Sequence, residues 1–371
     1  MTHRERWLRC LHFEEVDHVP DEEFGYWNET FVRWHDEGLP EEIDNNSIAD
    51  PYFRFAPRMR VPVNTGLLPS FERIVLEERG NHTIIRDTDG ATKEIPTDGS
   101  DTIPKFVKFP IETREDWEKF KERLDPTDPA RYPDNWDEHV ERLNNADVPV
   151  VIHCGSLYGR FRDWMGFEGI SIACMDKPDL VQDMMEYWVY FIETLHERAV
   201  NDIEKIDAGA FWEDMCFNKG CMISPKMFRE WMTPRYKRIT DFIRQAGADI
   251  FYVDCDGNIM EVVECWLDGG VNTMFPVEVA AGSDPFKIRK QWGERVKMLG
   301  GVNKRSLAKG KAAIEEELQS LVPLVEKGGM IPHVDHRCPP TVSYDDYLYY
   351  LSRKRELLGI PDPGIGLPEN D

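Results

Sequence analysis

Two short polar clusters in the C-terminal half hold the residues best equipped for chemistry. They are Asp254-Cys255-Asp256-Gly257-Asn258 and His333-Val334-Asp335-His336-Arg337-Cys338-Pro339-Pro340. Each follows a short apolar run with the composition of a buried strand. Carboxylates, imidazoles and thiols gathered just past strand ends form the pattern of an active site on a parallel α/β scaffold. Asp254 and Asp256 alternate along an extended segment, so both carboxylates point one way and Cys255 the other. Such a pair can bind a cation, share a proton, or orient a substrate amine or hydroxyl. Asp256 is equally suited to capping a following helix; Asp254 fits that role less well. His333, His336 and Cys338 are zinc-ligand types, or else a polar loop in which one of them faces a cavity. His336 is the expected functional member.

Other strand ends add polar groups: His153-Cys154-Gly155, Glu213-Asp214, Glu278 and Asn303. Glu213, Asp214 and Glu278 suit metal ligation, or general-acid work with a raised pKa, or plain surface salt bridging. Gly300-Gly301-Val302-Asn303 allows close approach of a substrate to the backbone, or simply a tight turn. Tyr158 lies in the Gly-Ser-Leu-Tyr-Gly turn after His153-Cys154. No Gly-x-Ser-x-Gly elbow and no Gly-x-x-x-x-Gly-Lys-Ser/Thr loop occurs, which removes support for serine hydrolase and nucleoside-triphosphatase chemistry.

These residues need a frame to hold them. From about residue 111 the pattern is strand, polar loop, amphipathic helix, repeated, with strands predicted at 148–153, 208–212, 248–253, 273–277, 296–299 and 330–334. Pro178 opens a helix with a broad apolar face, and Ser224-Pro225 is an N-cap followed by Pro in the first turn. Pro234 predicts a kink in that second helix. A further helix is expected from Gly257 or Asn258 to Gly269-Gly270, and others over 311–326 and 344–358. Residues 19–26 suit a first strand and residues 28–37 a helix. Between 43 and 110, turn signals at Gly80-Asn81 and Asp89-Gly90 predict a hairpin or small meander. Repeated strand–helix units imply a parallel sheet. The expected fold is a (β/α)8 TIM barrel with an N-terminal helical and β-hairpin elaboration. An open doubly wound sheet comes second, because no Gly-x-Gly-x-x-Gly follows the first strand. One domain is expected over 1–358, with 40–110 as a cap or insertion and 359–371 as a tail.

Composition narrows the partners. Lys+Arg 45 against Asp+Glu 69 gives a net charge of −24, which disfavours nucleic acid and anionic membrane surfaces. No apolar run reaches the roughly 20 residues of a membrane span, and the eight cysteines show no disulfide-type spacing. A cytoplasmic protein acting on a small molecule is expected, and a homodimer is compatible with the chain.

The order Glu213-Asp214-Met215, Ser224-Pro225 through Pro234-Arg235-Tyr236-Lys237-Arg238, Asp254-Cys255-Asp256-Gly257-Asn258, Phe275-Pro276-Val277-Glu278, Gly300-Gly301-Val302-Asn303 and 333–340 resembles the uroporphyrinogen decarboxylase superfamily. It is closer to the cobalamin-dependent methyltransferase-like branch than to true uroporphyrinogen decarboxylase, and Arg4-Glu5-Arg6 with Asp17-His18-Val19-Pro20 fits that branch too. The resemblance covers about 145–358 and implies a barrel with its site at the strand C-terminal ends. True decarboxylases carry Met-Arg-Gln-Ala-Gly-Arg after the first strand. Here the region reads Asp21-Glu22-Glu23-Phe24-Gly25-Tyr26-Trp27, an acidic run expected to repel a polycarboxylate. Thiol-methylating relatives hold zinc on His-x-Cys and a later Cys, where this chain has Asp254, Asp256 and His336.

The resemblance therefore implies a methyltransferase that moves methyl from a small methoxylated or N-methylated substrate to a corrinoid on a carrier protein. Asp254, Asp256, Glu278 and His336 are its expected catalytic residues, and Glu213, Asp214, Asn303, His333 and Tyr158 its substrate contacts. Zinc, if bound, would sit on Asp256, Glu278, His336 and Cys338. The alternatives are a metal-free decarboxylase or lyase of the same fold, and a non-catalytic ligand-binding barrel.

Overall fold

The computed structural model describes residues 1–97 and 104–367. In chain order its strands are β1 (Met59–Arg60), β2 (Ile74–Arg79), β3 (His82–Arg86), β4 (Thr92–Pro96), β5 (Lys105–Lys108), β6 (Val150–Gly155), β7 (Ala208–Trp212), β8 (Cys216–Phe217), β9 (Gly220–Cys221), β10 (Ile250–Asp254), β11 (Thr273–Val277), β12 (Lys297–Gly300) and β13 (Met330–Ile331). Seven of them form one curled parallel sheet, ordered β1-β6-β7-β10-β11-β12-β13. Apart from the short edge strand β1, their residues are mostly apolar and buried, as expected where helices cover the outer face and side chains fill the inner one. The architecture is the expected TIM barrel.

The segment predicted as a first strand takes a different form. Residues 19–26 run extended between β13 and β1, with a ladder bridge only at Tyr26, to Cys338. Even so, the Asp21 carbonyl accepts from the Ala56 N–H at 2.8 Å on one side, and the Gly25 carbonyl accepts from the Cys338 N–H at 2.8 Å on the other. Side chains complete the seam in place of a regular ladder. Asp21 pairs with Lys354 and Arg355, Glu22 with Arg58, and the Glu23 carboxylate accepts from the Val334 N–H. The acidic run is thus buried and countered by cations. It does not present negative charge to a substrate as the sequence suggested.

Helices follow their sequence signals closely. Pro178–Asp202 starts with its proline in the first turn and buries Leu180, Met184, Trp188, Ile192 and Leu195. Ser224 Oγ caps the next helical stretch by accepting from the Met227 N–H at 3.2 Å. Pro234 lacks an N–H and crowds the carbonyl one turn earlier, and the turn before it, Phe228–Met232, widens into a π-helix. The helix expected from Gly257 or Asn258 begins only at Val263. Gly257 has φ +91°, a left-handed conformation that turns the chain aside first.

Within 40–110, β2–β5 form a four-stranded antiparallel sheet, the predicted meander. The same stretch also supplies β1, which pairs in parallel with β6 and joins the barrel. One hydrophobic core runs from Trp7 to Ile360. Beyond it, the Gly366 N–H donates to the Tyr52 carbonyl at 2.8 Å; residues 98–103 and 368–371, the last four of the expected tail, lie outside the described residues. No helix among the described residues is long and apolar enough to cross a membrane.

Candidate active site at the barrel mouth

Parallel register sets the floor of the site. Asp254 is level with Trp212 on β7 and with Phe275 on β11, and Tyr252 is level with Ala210. Because side chains alternate along a strand, Trp212, Asp254 and Phe275 share the inward face at the C-terminal rim. Cys255 takes the opposite direction and is buried, its Sγ accepting from the Met215 N–H at 3.4 Å.

Asp254 is a strongly perturbed acid at the end of β10. Burial, followed by the charges of Asp256 and Asp214, lifts its pKa from an ordinary 3.8 to about 8, against opposing pulls from His336 and Arg337. It therefore carries its proton at neutral pH. Asp256 accepts at Oδ2 from His336 Nε2 at 3.1 Å, and its Oδ1 is buried without a hydrogen-bond partner among the described residues. Desolvation lowers the His336 pKa, but the Asp256 hydrogen bond and charge outweigh it, so the net shift is upward. The imidazole stacks on Trp27, with ring centroids 5.4 Å apart, and meets Phe24 edge-on at 5.6 Å. The helix cap anticipated for Asp256 does not form.

Other predicted residues prove to be supports. Glu278 bridges two loops, accepting from the Gly257 N–H at 2.7 Å and pairing with Lys304 Nζ at 2.6 Å. Asp214 sits at φ +41° and pairs with Arg162 at 2.9 Å. Glu213 is fully buried and accepts from Ser156 Oγ, from the N–H groups of Leu157, Tyr158 and Gly159, and from the Tyr236 hydroxyl. It holds the β6 loop closed and leaves no face for a substrate. Tyr158 is likewise buried, its backbone in that cradle. Asn303 caps a short helix, accepting at Oδ1 from the Arg305 N–H at 3.0 Å.

His333 is enclosed by Phe24 and Phe275, and burial holds it neutral with a pKa near 3. Cys338 is fully buried, and burial raises its thiol far above the ordinary range.

The four expected zinc ligands are therefore not one donor set. Only Asp256 and His336 meet; Glu278 is neutralised by Lys304, and Cys338 faces the core. Among the described residues no three His, Cys, Asp or Glu side chains are grouped to hold a metal ion.

Sequence reasoning missed several mouth residues. Trp27 and Phe24 wall the His336 side. Arg160 and Arg162 lie over the Trp212 ring at 5.4 and 5.6 Å, and both Arg160 and Arg60 act electrostatically on His153, which is held neutral near pKa 3 chiefly by burial. Their position just past strand or segment ends was the available signal. An arginine after Gly159 also suits a helix surface, so its type alone pointed nowhere.

A curled parallel sheet with polar groups at the C-terminal ends of its strands is the arrangement of TIM-barrel folds, whose sites lie at that end. The family model for uroporphyrinogen decarboxylase (URO-D) matches residues 90–353, and the chain belongs to that family. Among solved structures it is similar to a methyltransferase from Methanosarcina mazei, with TM-score 0.58 and 14% identity over 96% of this chain and 98% of that one. A B12-independent methionine synthase from Shewanella sp. W3-18-1, in complex with selenomethionine, aligns with TM-score 0.38 and 11% identity over 62% of this chain and 68% of that one. No curated protein matches the sequence.

Proposed function

We propose that the protein is a methyltransferase that takes a methyl group from a small methoxylated or N-methylated substrate and passes it to a corrinoid presented by a carrier protein. The observation that carries this reading is Asp254, a carboxylic acid whose pKa is raised to about 8, beside the Asp256–His336 pair. Breaking an O–CH3 bond leaves charge on the oxygen, and a neutral acid at the rim can protonate it. Asp256 and His336 orient the substrate, with the free Asp256 Oδ1 as an acceptor for a substrate hydroxyl or amine. The reduced corrinoid supplies the nucleophile. Trp27, Phe24 and Phe275 give the apolar wall that strips water from the reacting ether. The whole-length likeness to a methyltransferase supports this reading.

A decarboxylase of the same fold is the second reading. Arg60 and Arg160 form no salt bridge among the described residues and could hold a substrate carboxylate, while Asp254 protonates the carbanion.

One assay distinguishes the two. The protein is mixed with Co(I) cobalamin and a panel of methoxylated and N-methylated donors, and methylcobalamin is followed by its visible spectrum. Formation from a donor, slowed about 10²–10⁴-fold in D254N, is the expected result. Failure with every donor, together with CO2 release from a carboxylated panel, selects the decarboxylase.

A further inference from the structure

The short hairpin β8–β9 places Cys216 and Cys221 opposite one another. The Met222 N–H donates to the Met215 carbonyl at 2.9 Å. That makes 215/222 a hydrogen-bonded step of the ladder and 216/221 the non-hydrogen-bonded step. Such partners have Cα atoms about 4.5 Å apart with side chains on one face, within the roughly 4.4–6.8 Å that a disulfide spans. The Cys216 thiol interacts with Cys221 on one side and Cys255 on the other. Cys216 is buried, whereas Cys221 is partly exposed. Their interaction pushes the Cys221 thiol down and the Cys216 thiol up, so Cys221 is the readier nucleophile.

The hairpin is docked on the loop that presents the two acids. The Asn258 N–H donates to the Phe217 carbonyl at 3.0 Å, and a Cβ at Gly257 would lie 2.4 Å from the Cys216 carbonyl oxygen.

We propose that Cys216 and Cys221 form a reversible dithiol/disulfide pair, a modification site for low-molecular-weight disulfides on the wall behind the Asp254–Asp256 loop. The Cys221 thiolate attacks one sulfur of the small disulfide, forming a mixed disulfide and expelling one thiolate. Cys216 then gives up its proton, attacks the Cys221 sulfur and expels the second. Two protein thiols are oxidised while one small disulfide is reduced to two thiols. The pair stands independently of the methyl-transfer reading.

Lys219 lies between the two cysteines, so trypsin separates them into peptides 206–219 and 220–226 unless they are linked. The full-length protein is treated with oxidised glutathione, quenched in acid, alkylated with iodoacetamide under denaturing conditions and digested without reductant. The expected product is the linked pair of peptides, absent after dithiothreitol. C255S retains the link, and C216S traps glutathione on Cys221. Recovery of both peptides as alkylated thiols overturns the proposal, as does a link from Cys216 to the Cys255 peptide.

Discussion

His336 Nε2 stands 3.1 Å from Asp256 Oδ2, across 80 residues of chain, and this contact sets the charge of the barrel mouth. It raises the pKa of His336, whose imidazole meets the Asp256 carboxyl. Asp256 in turn is one of the charges that hold the proton on Asp254. Asp254 and His336 both respond to Asp256, so a change there is readable at each of them.

Replacing Asp256 by Asn should lower the pKa of both neighbours. His336 loses the negative charge that helps raise it, since an Asn amide can accept a hydrogen bond but carries no charge, and Asp254 loses a like charge. Imidazole and carboxyl NMR titrations check this. An unchanged His336 midpoint in D256N contradicts the pairing.

Asp254 also makes stability depend on pH. Its pKa is about 8 when folded and near 3.8 when free. Between those values the folded state binds the extra proton, so Asp254's contribution to stability declines as pH rises through that window. Asn cannot ionise. D254N should therefore lie close to the parent at about pH 4 and exceed it by roughly 5 kcal/mol near pH 9, measured by urea unfolding. A difference that does not vary with pH would falsify the assignment.

Turnover should respond to the same proton. If Asp254 is the acid, activity falls as pH rises through about 8, and the D254N residual activity loses that limb. Rate profiles of the two proteins in the donor assay supply the comparison.

Glu213 is a structural carboxylate with five donors around it. E213A should destabilise the protein by about 3–5 kcal/mol by stranding those donors in the interior, and Y236F by about 1–2 kcal/mol. Urea unfolding reports both. Equal stability of E213A and the parent would mean the loop is held by something else.

Gly159 leaves no room for a side chain. A Cβ there would lie 2.2 Å from the Glu213 carbonyl oxygen, which belongs to the backbone and cannot rotate away. G159A should cost about 1–3 kcal/mol, seen as a lower Tm; an unchanged Tm would show that the two loops can separate freely.

Much of the frame was legible in the sequence. The runs 208–212 and 273–277 became β7 and β11 with the same bounds, because an apolar run enclosed by turn signals and helices has few other uses. The Pro178 and Ser224-Pro225 signals acted where expected, since capping is chemistry within one turn. The helix after Asp256 started late because Gly257 adopts positive φ and its N–H is taken by Glu278, a residue 21 positions away. Glu213 and Glu278 looked like site residues by type, and their partners come from distant loops; Asn303 instead caps the helix that follows it.

The sequence alone determined the alternation of strands and helices, and with it the end of the barrel where Asp254 and Asp256 appear. Periodicity and turn chemistry are local, so they survive in one dimension. Only the tertiary structure decided which acid keeps its proton, which carboxylate is a strut and which thiols meet. Desolvation and Coulomb interactions depend on distances between groups that the chain keeps far apart.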